Sequence, residues 1–227
     1  MPLQPIAEGV WTLDGQFRTP LFTGSVRVTV LAGEGGLVLH SPVALAAEDI
    51  QAIVDLGPVA AILAPNTMHY QSLGAAAEAF PGARVYVPEG LEKKTAPPAR
   101  AETISREHPP ELPRGVEHFI FDRHAIHECV LFHRPSRTLV TADLLYNYQR
   151  EHGAGEKMFF GLLGCYGAPK VTFYHRFALP DKSAVRELVE QVRAWAPSRI
   201  VMGHGRIIES EDAAEVFARA WQPFVPR

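Results

Sequence analysis

The sequence predicts an α/β (α+β) fold in which two β-sheets pack against each other with helices on the outside. Three observations lead there. A strand-rich opening third carries one amphipathic helical pattern, a second strand-rich block begins at Val116, and two further helical patterns flank a last apolar run near the end. Length agrees: 227 residues, 47% of them hydrophobic, are enough for a sizeable core. Residues 1–227 are expected to form a single domain, with 149–180 as an insertion able to cover a site.

The elements follow in order. SVRVTVLAG and GLVLHSP, residues 25–33 and 36–42, are β-rich runs joined across Gly33 to Gly36, the pattern of a hairpin. LAAEDIQAIVDLG places Ile50, Ile53, Val54 and Leu56 near helical spacing and stops at Gly57. VAAILA is a short buried strand, the alanine-rich stretch after it a helix to about Phe80, and RVYVP, residues 84–88, another strand. From Gly90 to Gly115 the polar, proline-rich sequence predicts a surface loop with little regular structure. VEHFIFD, HECVLFH and TLVTADLLY are strands, the last two joined by the turn RPSR. Residues 149–180 are rich in glycine and aromatic residues without a clear period. DKSAVRELVEQVRAW sets Val185, Leu188, Val189, Val192 and Trp195 on one helical face, RIVMGHG is a final buried strand with its turn, and SEDAAEVFARAW is a helix capped by Ser210.

Composition excludes more than it selects. With 22 basic against 25 acidic residues and a net charge of -3, there is no electrostatic footprint for nucleic acid or an anionic membrane. The opening MPLQPIAEGVWTLDG has no basic region followed by an apolar core, and no apolar run nears the roughly 20 residues that span a bilayer. A cytoplasmic protein acting on or binding a small molecule, free or as a homo-oligomer, is expected. Cys129 and Cys165 show no CxxC spacing and read as packed thiols.

Three predicted strand ends carry polar groups: His69 after VAAILA, Asp143 after TLVTA and His204 after RIVMG. Strand ends that feed a turn or helix are where α/β folds place chemistry. His124 is a fourth candidate; on a strand it would share a face with Glu128 and oppose His127. A lone histidine is more often a hydrogen-bonded core residue than a ligand, and it is the joint placement that argues for a metal. Asp143 also suits a turn, and the glycines around His204 suit a close backbone approach. Tyr70, Tyr146 and Tyr148 read as packed aromatics able to offer a hydroxyl, and His40, His108, His118, His133, His152 and His175 as surface or structural residues.

HAIHECVLFHRPSRTLVTADLL and IVMGHG are similar to two segments of metallo-β-lactamase-fold hydrolases, one of the form HTPGSxxLYxPExRTLLTGDLL and a late strand ending in GHG. The distance from His69 to FPGARVYV also resembles the helix and strand after that family's HxHxDH motif. The resemblance runs from about Val10 to the final helix, and it looks closest to a bacterial branch that carries APN followed by a histidine where other members carry HxHxDH. It implies a four-layer αββα sandwich with metal at one edge. Matched by position, His69 stands at the last histidine of the motif, while Ala64, Asn66 and Met68 stand where three other ligands are expected. His124, Asp143 and His204 match the remaining histidines and the carboxylate that bridges two metals.

The ligands that remain are enough for one cation. Two histidines and a carboxylate bind Zn²⁺, or Fe²⁺ or Mn²⁺ with an open face. His124 could complete the set, and Asn66 could orient water or substrate through its carbonyl oxygen. Met68 cannot take a proton and suits a gap in the core. The expected function is a metal-dependent hydrolase with a reduced, mononuclear site, in which the metal and Asp143 activate water. The alternative is a non-catalytic relative of the same fold with no bound metal.

Overall fold

A computed structural model describes residues 2–18, 23–123, 125–149, 154–179, 181 and 183–225. The first sheet contains β1 (Gln4–Ala7), β2 (Val10–Arg18), β3 (Thr23–Gly33), β4 (Gly36–His40), β5 (Val59–Leu63), β6 (Arg84–Pro88) and β7 (Ala101–Ile104). Helix α1 (Ala47–Leu56) joins β4 to β5, and α2 (Leu73–Ala79) joins β5 to β6. The second sheet contains β8 (Val116–Phe121), β9 (Glu128–His133), β10 (Thr138–Thr141), β11 (Arg199–Met202) and β12 (Ile208–Glu209). Between β10 and β11 lie α3 (Ala154–Leu162), α4 (His175–Ala178) and α5 (Ser183–Trp195), and α6 (Ala213–Trp221) follows β12, with a 3-10 turn at Gln222–Phe224 after it.

Among the described residues the first sheet runs in chain order, antiparallel from β1 to β4 and parallel from β4 to β7. The second has the order β12-β11-β10-β9-β8, with β10 and β11 parallel. Side-chain alternation builds the layers. Leu31, Val38, Ala61 and Leu63 meet Cys129, Leu131, Val140 and Val201 between the sheets. Their strand neighbours Val30, Leu39 and Ile62 face the other way, onto Ile53 of α1 and Leu73 of α2. Strands buried on both faces read as continuous apolar runs, which is why GLVLH and VAAIL look as they do. Behind the second sheet, Val185, Leu188, Val189, Val192 and Trp195 of α5 are buried with Phe217 and Trp221 of α6, as their spacing predicts. Each such side chain contributes about 1.5–3 kcal/mol relative to exposure. The result is a four-layer αββα sandwich.

Several expectations change in detail. On α1 only Ile53 of the apolar set is fully buried; Val54 is 50% exposed and Leu56 37%. The helix is rotated so that Asp49 lies inward, its carboxylate accepting the backbone N–H of Ala46 at the helix start. The stretch after Gly90 holds a 3-10 turn at Leu91–Lys93 and strand β7, which pairs parallel to β6. This edge strand, AETI, exposes Glu102 and Thr103 and lacks an apolar period, so its pairing comes from its neighbour. His127 lies ahead of β9 with φ 48°, outside the strand that begins at Glu128. His124 itself, with His152, lies outside the described residues.

At the chain end, β12 follows the strand expected to be last. Helix α6 starts at Ala213 with Asp212 in the cap position. Ser210 sits two residues earlier, its hydroxyl accepting the N–H of Asp212 at 3.1 Å. Both cysteines are free and buried. Among the described residues, no helix is long and apolar enough to cross a membrane.

Candidate metal centre

The three strand ends meet. β10 and β11 pair in register with Thr141 opposite Met202, and each runs two residues further before its functional side chain, so Asp143 and His204 emerge side by side. Gly203 makes the approach close: its N–H bonds the carbonyl of Ala142 at 3.2 Å, and a Cβ there would stand 2.8 Å from His69 Cε1. His69 arrives from the first sheet, on the loop after β5. That loop is tied to the second sheet by Cys129 N–H on the Pro65 carbonyl at 2.8 Å and by Thr67 N–H on the Ile126 carbonyl at 3.1 Å. The site therefore sits where the edges of the two sheets meet.

His69, Asp143 and His204 are all buried, and their ligand atoms lie within 4.8 Å of one another. The Nε2 atoms of the histidines are 3.1 Å apart. His69 Nε2 is 3.3 Å from Asp143 Oδ2, and His204 Nε2 is 3.5 Å from Asp143 Oδ1. A tetrahedral zinc with bonds of about 2.0–2.1 Å spaces its ligand atoms about 3.3–3.4 Å apart. The Nε2–Nε2 distance, and the distance from each imidazole to the Asp143 oxygen it faces, fall around that value, so the two imidazoles and the carboxylate suit one such cation.

The imidazoles are held from behind. His204 Nδ1 lies 2.7 Å from the carbonyl of Ser25. A carbonyl can only accept, so Nδ1 carries a proton, and a ring held in this way can present an Nε2 lone pair to a cation. His69 Nδ1 lies 2.7 Å from the Ser41 hydroxyl, which can donate or accept. Ser41 has φ 60°, a left-handed conformation that costs a residue with a Cβ about 1–2 kcal/mol. Arg27 pins the turn that carries His204. Its guanidinium donates to the carbonyls of Met202 and Gly205, at 3.3 and 2.9 Å, while gripping Asp14 with Nε and Nη2 at 2.6 and 3.0 Å.

Electrostatics favour an ionised Asp143. Burial pushes its carboxyl up, but the charges and hydrogen bonds of His69 and His204 outweigh this and hold it well below the usual carboxylate range. For His69, burial acts against the charged form, and the Asp143 carboxylate with help from Glu128 raises the pKa. Tyr146 donates to Asp143 Oδ1 at 2.5 Å while its ring stacks on His204 at 5.6 Å, the two planes nearly parallel at 4°. Burial and the Asp143 charge keep that phenol protonated, well above its ordinary value. Phe160 of α3 packs on Tyr146 at 6.2 Å, which brings the aromatic 149–180 stretch up to the site.

Asn66 is placed differently from expectation. Its carbonyl oxygen accepts the backbone N–H groups of Met68 and His69, at 2.8 and 3.0 Å, and is not turned toward a water or substrate. The amide nitrogen faces the site, donating to Asp143 Oδ2 at 2.9 Å and Glu128 Oε2 at 2.8 Å. Met68 is 51% exposed, so it fills no core gap; its sulfur lies 3.5 Å from the ammonium of Lys94. Ala64 is buried against the α1–α2 side of the sheet.

Glu128 was not singled out by sequence, yet it is fully buried beside the centre. Oε1 accepts Ala142 N–H at 2.8 Å and Oε2 accepts Asp143 N–H at 2.9 Å. Burial first and the Asp143 charge second push its carboxyl up to about 7. An acid inside the apolar run ECVLF was the available signal, since Glu is almost never fully buried unless paired. Ser41 and Ser25 offered none. His175, expected to be structural, sits behind Asp143 with Nε2 3.2 Å from its carbonyl. His40 is also fully buried, and its Nε2 has no hydrogen-bond partner among the described residues.

No protein-family model and no curated protein sequence matches the chain. Solved structures do. The metallo-β-lactamase FIM-1 from Pseudomonas aeruginosa, in its mono-zinc form, is 14% identical with a TM-score of 0.64, covering 100% of this chain and 98% of that one. A metallo-β-lactamase from Hirschia baltica is 11% identical with a TM-score of 0.64 and complete coverage of both chains. Another, from Pontibacter korlensis, is 15% identical with a TM-score of 0.62, covering 97% and 98%. With sequence identity this low, what is shared is the architecture. From its first strand to its last helix, the chain has the metallo-β-lactamase fold.

Proposed function

We propose that the protein is a metal-dependent hydrolase of small molecules, with a centre that holds one divalent cation through His69, Asp143 and His204. The observation that carries this reading is the convergence of three buried side chains whose ligand atoms lie within 4.8 Å of one another, with the two Nε2 atoms 3.1 Å apart and each within 3.5 Å of an Asp143 oxygen. A set of two imidazoles and a carboxylate suits zinc first, and iron or manganese second. When bound, the cation supplies Lewis acidity to a water and to a substrate oxygen. The protein's own groups do the rest. The Ser25 carbonyl and the Ser41 hydroxyl orient the imidazoles. Tyr146 and Asn66 each hold one Asp143 oxygen, and with a cation on the two imidazoles the directions now turned to His69 and His204 would be open to the cation and to a hydrogen bond from a water.

Metal content tests the reading. Protein purified without chelator is expected to carry one equivalent of zinc, iron or manganese, lost in both His69→Ala and His204→Ala while the fold is kept. Hydrolysis of a panel of esters, thioesters and lactams should disappear with the metal. A wild-type protein that takes up no metal at micromolar supply removes the proposal.

A second reading is a non-catalytic, metal-free member of the fold. It is favoured by one observation: His69, His204, Asp143, Tyr146 and Asn66 already satisfy one another with hydrogen bonds. The same measurement decides between the two.

A further inference from the structure

The Asn66 side chain is fully buried and uses its whole hydrogen-bonding capacity. Its two amide hydrogens go to two different carboxylates, Glu128 Oε2 at 2.8 Å and Asp143 Oδ2 at 2.9 Å, and its carbonyl accepts two backbone N–H groups. An asparagine can make four hydrogen bonds, and here it makes four. Three pieces of chain are joined through it: the loop after β5, the start of β9 and the end of β10. Glu128 in turn binds the backbone N–H groups of Ala142 and Asp143, so the pair determines where the Asp143 carboxylate lies.

Two carboxylate oxygens converging on one small group is an arrangement that a cation also satisfies, because hard cations gather carboxylates and burial makes their mutual repulsion expensive. The amide does this with partial charge only. We propose that Asn66 is a positioning residue that stands in for a cation between Glu128 and Asp143, and that it thereby limits the centre to one metal ion. This rests on the single-cation reading above for the site next to it, but the role of Asn66 can be tested apart from that reading. The feature that decides it is charge. A carboxylate at position 66 would leave three acidic groups around one point with no cation among them, and that cluster would acquire one from solution.

Equilibrium dialysis against Zn²⁺, and separately Mn²⁺, followed by elemental analysis, reads the number of ions per chain for wild type, Asn66→Asp and Asn66→Ser. The expected result is one equivalent in wild type and two in Asn66→Asp. Asn66→Ser, which vacates the space without adding charge, should gain the same ion at least tenfold more weakly. In the double variant Asn66→Asp with Glu128→Gln the gain should vanish, which a merely structural role for either residue does not predict. If Asn66→Asp does not fold without metal, recovery of its circular-dichroism spectrum on addition of Zn²⁺ supports the assignment, and failure to recover counts against it. An Asn66→Asp protein that is folded and binds no more metal than wild type overturns it. A wild type that binds none removes the single-cation reading, and Asn66 is then judged on whether Asn66→Asp gains one ion over that baseline.

Discussion

His69 and His204 are 135 residues apart in the chain and bring their Nε2 atoms to 3.1 Å of each other. One follows a strand of each sheet, and each ring is held through its Nδ1, His69 by Ser41 just after β4 and His204 by the Ser25 carbonyl of β3. Because both rings are anchored, the space between them and Asp143 is shaped before any ligand arrives. Binding then costs little ordering of the protein, which is the basis of affinity at such a centre.

Ser41 separates orientation from stability. Its left-handed backbone disfavours any residue with a Cβ, so Ser41→Gly relieves strain while removing the hydroxyl behind His69. Metal affinity, measured by competition with a chromophoric chelator, should fall 10–100-fold, the usual cost of losing such a partner. The unfolding free energy in urea should change by less than about 1 kcal/mol, since the two effects on it oppose each other. Unchanged affinity would show that the hydroxyl does not orient the ring.

Tyr146 offers a hydroxyl and a ring, and Tyr146→Phe removes only the first. The stack on His204 survives, but Asp143 Oδ1 loses its donor. A hydrogen bond to a charged group is worth about 1.5–3 kcal/mol, and that loss is expected in urea denaturation of the metal-free protein. With metal bound, the deficit should shrink, because Asp143 then has a cation to compensate. Equal deficits with and without metal would contradict the placement of Asp143 at the centre.

Gly203→Ala tests the close approach. The added methyl would stand 2.8 Å from His69 Cε1 and 3.0 Å from the Ala142 carbonyl oxygen, and the latter is backbone. Overpacking of this kind costs about 1–3 kcal/mol. His69 should be displaced and metal binding weakened. Gly74→Ala in α2, where nothing lies within 4 Å, is the control and should stabilise by about 0.5–1 kcal/mol through helix propensity. A Gly203→Ala protein with wild-type stability and metal affinity would refute the packing argument.

Acid should loosen the fold through His40. Burial, reinforced by the charge of His69, lowers its pKa from 6.5 to about 3. The unfolded chain takes up a proton near pH 6.5 that the folded chain refuses until about pH 3, so stability falls as pH drops through that window. The full passage costs on the order of 4–5 kcal/mol. His175, lowered to about 4 by burial, acts in the same direction. Urea midpoints between pH 7 and pH 4 should fall less steeply for His40→Leu than for wild type. Parallel curves would mean that His40 is not the group that titrates.

Much of the sandwich is legible from local pattern. Apolar runs such as GLVLH and VAAIL report strands covered on both faces, and the 3.6-residue spacing of Val185, Leu188, Val189, Val192 and Trp195 reports a helix with one face inward. Strand β7 was hidden because an edge strand of four residues borrows its structure from its neighbour β6. Glu128 shows the limit at the site. An acid in an apolar run signals something buried, but its partners come from elsewhere, Asn66 from the loop after β5 and Ala142 and Asp143 from just past β10, and no spacing reveals them.

By itself the sequence determined the layers and nominated His69, Asp143 and His204, because strand periodicity and polar strand ends are properties of short segments. Only the tertiary structure decided which side of Asn66 faces the centre, that Met68 lies outside the core, and that Ser41, Tyr146 and Glu128 belong to the site. Those facts depend on the meeting of two sheet edges and on the direction of hydrogen bonds across it, and both are settled when the sheets pack.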